Sequence, residues 1–291
     1  MESLGFKNAG PIKVLLRKQK VTAVKTLKRF FGRGGRLLGV CLLLAAGTAA
    51  GESSYDEVYI QGHRCMVIEP EGLPSDAPLL LMLHGFGSNG FEQLALYDEL
   101  SFPPCLVVLP DAPWGVHGPF SGARTWYDRF THSSKDMEKS RLYLFEIMDH
   151  FSNEGADPPT PGTAPHPRPV IIMGFSQGAV MSLDAGLNYK GNIEAIISMS
   201  GLIEYPEKTL AHPLAPRSTP ILLIQGQWDP IVESDDGETI RSLKKAGYQP
   251  VLKEFKMGHK INRDTVGAVS NFLYQKIFEQ NQQSGLSPEG N

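Results

Sequence analysis

Cysteine is scarce in this chain: three among 291 residues, at Cys41, Cys65 and Cys105. None stands in a C-x-x-C pair or a Cys/His cluster with metal-ligand spacing, so no metal site and no disulfide-stapled scaffold is expected. Long apolar runs are missing too. The run from Leu37 to Ala46 is well short of the roughly 20 residues a membrane helix needs. Acidic residues are absent between Phe6 and Ala50, a stretch that holds ten Lys/Arg. With Glu2 counted, residues 1–50 carry +9 and the remaining 241 residues carry −12. A body that acidic excludes nucleic acid as a partner, because phosphate contacts require basic groups.

Residues 1–50 read as a targeting segment. Lys25, Lys28, Arg29, Arg33 and Arg36 precede the Leu37–Ala46 run. Small residues follow at Gly47 to Ala50, then the polar Gly51-Glu52-Ser53-Ser54. This order of basic, apolar and small residues is that of a secretory signal cleaved near Ala49 or Ala50. The expectation is export, either periplasmic or secreted. An organelle transit peptide suits the acid-free stretch as well. Leu38-Gly39-Val40-Cys41 faintly resembles a lipid-anchor box.

Residues 51–280 alternate short apolar runs with longer helical patterns. Strands are expected at Val58–Gln61, Cys65–Glu69, Leu79–Leu83, Cys105–Leu109, Val170–Met173, Ala195–Met199, Ile221–Ile224 and Val251–Phe255. Helices are expected near Phe91–Leu100, Lys135–Phe151, Gln177–Leu187, Gly237–Ala246 and Asn262–Glu279. Continuous apolar runs suit strands buried on both faces of a parallel sheet. Strand–helix alternation therefore predicts one doubly wound, mostly parallel α/β domain. Residues 155–169 hold six prolines and read as a surface insertion. Residues 281–291 read as a disordered polar tail. Cys65 and Cys105 would begin antiparallel neighbouring strands, which sets them at opposite ends and precludes a disulfide.

Gly174-Phe175-Ser176-Gln177-Gly178 matches G-x-S-x-G between an apolar strand and a helical pattern. That strand–turn–helix setting is what a nucleophile elbow needs, and it makes Ser176 the candidate nucleophile. An acyl-transfer site also needs two backbone N–H donors for the developing oxyanion. Gln177, next after the serine, is one candidate. Phe86, in His84-Gly85-Phe86-Gly87-Ser88-Asn89-Gly90, is the other. His84 sits at a strand end and is expected to brace that loop.

In this type of site the chain order is serine, acid, histidine. Only His212 and His259 follow Ser176. His212 lies in a Pro-rich stretch, whereas His259 follows a strand, where open α/β sheets place their chemistry. Asp229 follows the Ile221–Ile224 strand and is the expected acid. Asp235 and Asp236 sit where the next helix begins and read as caps. Phe86, Trp126 and Met181 lie on segments expected near the nucleophile and can present apolar surface to a substrate. The elbow and the two oxyanion loops contain no Lys or Arg, so a neutral, apolar acyl group is expected.

With these residues in place, the chain resembles the phospholipase/carboxylesterase family of small α/β-hydrolases, which includes acyl-protein thioesterases. The resemblance spans roughly residues 77–277. It rests on His84-Gly85-Phe86-Gly87, Arg124-Thr125-Trp126-Tyr127-Asp128, Gly174 to Ala179, Gln225 to Val232, and Met257-Gly258-His259. It implies a cofactor-free serine hydrolase acting on small-molecule or lipid acyl esters or thioesters. It also implies that Phe86 and Gln177 supply the oxyanion donors and that Trp126 borders the acyl site. Ser88 and Asn89 stand where many relatives carry an acid, and many relatives are cytoplasmic. Two other functions fit the same motifs: an exported polymer or feruloyl-type esterase, and a catalytically silent binding protein. Nothing in the sequence sets the oligomeric state.

Overall fold

The computed structural model describes residues 15–17, 55–116, 122–153, 167–231 and 237–283. Its strands are β1 (Leu15–Arg17), β2 (Asp56–Ile60), β3 (His63–Ile68), β4 (Leu79–Leu83), β5 (Leu106–Pro110), β6 (Trp114–Gly115), β7 (Arg124–Thr125), β8 (Val170–Phe175), β9 (Ile193–Met199), β10 (Ile221–Gly226) and β11 (Val251–Phe255). Its helices are α1 (Leu94–Tyr97), α2 (Ser134–Asn153), α3 (Gln177–Asn188), α4 (Pro206–Thr209), α5 (Glu238–Lys245) and α6 (Arg263–Gln283). The main sheet runs β1-β2-β3-β5-β4-β8-β9-β10-β11, and β6 pairs with β7 in a separate ribbon. From β5 through β11 all pairings are parallel, while β1, β2 and β3 add antiparallel strands. This is the α/β-hydrolase arrangement.

The apolar runs are continuous because the sheet is covered twice. In β4, Leu79, Leu81 and Leu83 pack on one face with Leu144 and Ile147 of α2 and Met181 and Leu183 of α3. Leu80 and Met82 point the other way, toward Val269 and Leu273 of α6. All five β4 side chains are fully buried. A leucine buried this way stabilises the fold by about 1.5–3 kcal/mol. β11 forms the sheet's edge and is correspondingly half-exposed, which explains its more polar sequence.

Three elements have weak local signals: β1, the β6–β7 ribbon and α4. β1 lies inside residues 1–50, yet it pairs with β2 in the register Leu15 to Tyr59 and Arg17 to Glu57. These three residues therefore sit on the sheet rather than apart from the fold. The proposed cleavage region and most of the Pro-rich segment, residues 154–166, lie outside the described residues, as does the tail beyond Gln283. α6 runs to Gln283, past the expected end at Glu279, since glutamine is a good helix former. Among the described residues, no helix is long and apolar enough to cross a membrane.

Cys65 pairs in register with Pro110 at the end of β5, whereas Cys105 immediately precedes that strand, five residues away. That is about 17 Å along a strand. The two side chains also belong to opposite faces of the sheet. Both thiols are free, and burial pushes each up to about 12.

Candidate active site

Ser176 sits between the end of β8 and the start of α3 with φ 56° and ψ −121°. A side-chain-bearing residue adopts such a conformation at a cost of about 1–3 kcal/mol. The surroundings enforce it. A Cβ at Gly174 would come within 2.2 Å of the Gly178 carbonyl oxygen, and one at Gly178 within 2.3 Å of the Leu83 oxygen. Only glycine fits either place. The Ser176 N–H donates to the Met199 carbonyl at 2.9 Å, pinning the turn to β9.

His259 reaches this serine from the loop after β11. Its Nε2 lies 2.8 Å from Ser176 Oγ and its Nδ1 lies 2.8 Å from Asp229 Oδ2. The Phe175 ring packs on the imidazole with centroids 5.0 Å apart. The acid and histidine loops are held together through their backbones. Gln227 N–H donates to Phe255 O at 2.9 Å and Trp228 N–H to Met257 O at 3.0 Å. A Cβ at Gly226 would strike the Met257 oxygen at 2.4 Å, so the loops touch at a glycine.

Burial drives the Asp229 pKa up. That effect is outweighed by the His259 hydrogen bond and charge, the Ile231 N–H at 3.0 Å and the nearby Ser200 hydroxyl, which together hold it below the ordinary carboxylate value. Ser200 had no sequence signal. It is buried, has a positive φ of 52°, and its N–H donates to Ile224 O at 2.7 Å. Its hydroxyl makes no hydrogen bond of normal geometry, so its effect on Asp229 is that of a close but imperfectly aligned donor. Asp235 and Asp236 lie outside the described residues.

The His84–Gly90 loop lies on the other side of the serine. A Cβ at Gly85 would stand 3.4 Å from Ser176 Cβ, so this backbone approaches Ser176 closely. Among the described residues, no backbone acceptor takes the Phe86 or Gln177 N–H. His84 is fully buried, and burial lowers its pKa to about 4. Its Nε2 accepts the Ala112 N–H at 3.0 Å, so Nδ1 carries the proton and donates to Gly85 O at 2.7 Å. His84 thus braces the loop and makes no contact with the serine.

The Gln177 side chain does more than its sequence position suggested. Its Oε1 accepts from Trp126 N–H and lies 2.9 Å from the Thr125 hydroxyl, while Nε2 donates to Tyr127 O at 2.8 Å. It therefore stitches the start of α3 to the 124–127 loop.

Two of the side chains expected at the acyl site are buried. Trp126 and Met181 have no exposed surface and lie in the core. Trp126 donates its indole N–H to His84 O at 2.8 Å, and Met181 points from α3 into the layer beneath the sheet. Proximity in sequence misled because α3 turns this methionine inward. The exposed apolar groups flanking Asp229 are Trp228 and Ile231. Among the described residues, no three His, Cys, Asp or Glu side chains gather to hold a metal.

Residues 63–277 match the model of the phospholipase/carboxylesterase family. The chain is 32% identical over 230 residues to acyl-protein thioesterase 1 of Gibberella zeae, covering 69% of this chain and 92% of the relative. It is 26% identical over 216 residues to a carboxylesterase of Arabidopsis thaliana, covering 68% and 90%. The crystal structure of esterase PE8 superposes with a TM-score of 0.57 at 30% identity, covering 69% of this chain and 95% of that one.

These relatives overturn the expectation of export. The fungal and Dictyostelium discoideum matches are acyl-protein thioesterases, none of them named as an exported protein. A basic stretch followed by ten apolar residues is too unspecific a pattern to stand against them.

Proposed function

The chain belongs to the phospholipase/carboxylesterase family, and from that premise we propose that Ser176, His259 and Asp229 are the catalytic triad with which this serine hydrolase cleaves carboxylic esters or thioesters. The observation that carries the assignment is the unbroken hydrogen-bonded chain from Asp229 through His259 to Ser176, with both links at 2.8 Å.

The chemistry follows from the geometry. Ser176 Oγ attacks the acyl carbon as its proton passes to His259 Nε2. Asp229 keeps the proton of Nδ1 in place and stabilises the imidazolium. The carbonyl oxygen, now negative, is received by the Phe86 and Gln177 N–H groups. Collapse breaks the bond to the leaving alcohol or thiol, which takes the proton from Nε2. A water, deprotonated by the same nitrogen, then releases the acid from Ser176.

The substrate is a small-molecule or lipid-borne acyl ester or thioester. Phe86, Trp228 and Ile231 offer apolar surface beside the nucleophile and the acid. Each methylene they cover contributes at most about 0.8 kcal/mol, so kcat/KM rises several-fold per carbon until the surface is filled. The test is kcat/KM for p-nitrophenyl acetate, butyrate, octanoate and palmitate, with matching thioesters and an anilide. Chain-length dependence with slow anilide cleavage is expected. A flat profile, or an anilide cleaved as fast as its ester, contradicts the reading.

A further inference from the structure

Charge enters the site's rim from a loop that neither the elbow nor the oxyanion loops contain. After Tyr127 the chain turns sharply, with Asp128 Oδ1 accepting the Phe130 N–H at 2.8 Å and the Thr131 N–H at 3.1 Å. The turn is tied down beyond that point. His132 contacts Glu204 at 2.6 Å, and the Tyr205 hydroxyl donates to the His132 carbonyl. Arg129 stands on this anchored turn.

The Arg129 guanidinium lies 4.9 Å from the ring centroid of Phe86 and 5.1 Å from that of Phe130. Two cation–π contacts orient it. Neither supplies an oxygen acceptor, and among the described residues no oxygen accepts from its five N–H donors. Arg129 is exposed, and no carboxylate pairs with it among the described residues. Asp128, its neighbour, is committed to its own turn. The residue beneath the guanidinium, Phe86, follows Gly85, whose backbone abuts Ser176. A guanidinium oriented by two rings, and unpaired among the described residues, therefore stands one side chain away from the nucleophile.

We propose that Arg129 is a specificity-determining residue that recruits esters carrying an anionic group, a carboxylate or a phosphate, within reach of the scissile bond. This rests on the reading of Ser176 as nucleophile, and it departs from the sequence expectation that only neutral acyl groups are accommodated. A planar guanidinium meets a carboxylate or phosphate through two parallel N–H donors, which fixes the substrate's orientation as well as attracting it.

The test compares ester pairs that differ in charge. Mono-p-nitrophenyl glutarate against p-nitrophenyl butyrate places the charge on the acyl side. 4-Acetoxybenzoate against 4-acetoxybenzamide places it on the leaving group. For each pair the anionic-to-neutral ratio of kcat/KM is measured in the wild type, Arg129→Gln and Arg129→Glu. We expect the ratio of at least one pair to fall about three- to ten-fold in Arg129→Gln and further in Arg129→Glu, the responding pair identifying the charged side. In the wild type it should also fall as salt rises from about 0.01 M to about 1 M, over which the screening length shrinks from about 30 Å to about 3 Å. Ratios that are unchanged by both substitutions overturn the proposal while leaving the hydrolase reading intact. A wild type that cleaves none of the four esters overturns the hydrolase reading itself, and the proposal with it.

Discussion

Asp229 Oδ2 lies 2.8 Å from His259 Nδ1, and the carboxylate side chain has no exposed surface. Held this way, it dictates which imidazole nitrogen carries the proton and leaves Nε2 facing Ser176. Asp229→Asn should preserve the packing but favour the wrong tautomer, lowering kcat by about 10⁴, the scale measured for a triad aspartate in another protease fold. Asp235→Asn should keep near-normal activity. Steady-state kinetics on a p-nitrophenyl ester separates the two, and the opposite ranking contradicts the assignment.

Ser200 combines a strained backbone with a buried hydroxyl beside the Asp229 carboxylate. Ser200→Gly should relieve the positive φ and raise stability by up to about 1 kcal/mol. The same change removes a donor to the acid and should lower kcat/KM about three- to ten-fold. Ser200→Ala should show the activity loss without the stability gain. Thermal unfolding read alongside kinetics checks both, and a fully active glycine variant sinks the idea.

His84 is neutral in the folded protein because burial lowers its pKa from 6.5 to about 4. The unfolded chain takes up this proton first as pH falls. The stability from keeping His84 neutral is therefore complete above about pH 6.5 and is lost between there and about pH 4. At 1.36 kcal/mol per pKa unit the loss approaches about 3 kcal/mol. Urea unfolding of the wild type and of His84→Asn across this window should show a slope that is shallower in the variant. Parallel slopes would assign the acid sensitivity elsewhere.

Gln177 holds three groups of the 125–127 loop through its side chain, while its backbone N–H is the proposed oxyanion donor. Gln177→Met keeps the volume and that N–H but abandons the Trp126 N–H and Tyr127 carbonyl. Stability should fall by about 3 kcal/mol. The kcat should fall as well, because the elbow loses its tie to the neighbouring loop. Denaturant midpoints and kcat test this together, and an unchanged kcat would make the tie purely structural.

The sheet was legible because its strands are buried on both faces. Leu79–Leu83 and Val251–Phe255 form strands with the expected ends, and the other strands shift by one or two residues at one or both ends. β1, with three residues, and β6 and β7, with two each, are held by pairing partners rather than by periodicity, which local sequence does not record. Around the serine, the order of Ser176, Asp229 and His259 was readable from motifs at strand ends. Ser200 and Arg129 were not. The first acts through a backbone angle, and the second through a turn that carries it back over Phe86. Which way Trp126 and Met181 face is likewise not written in the local sequence: both side chains are buried.

Ser176 is the proposed nucleophile, and His259 the base that activates it. Intact-mass and peptide mapping after treatment with a fluorophosphonate test this most directly. The account predicts a single adduct on the peptide containing Ser176, none in Ser176→Ala, and labelling slowed by orders of magnitude in His259→Ala. An adduct on another residue, or Ser176→Ala labelled and active like the wild type, would contradict it.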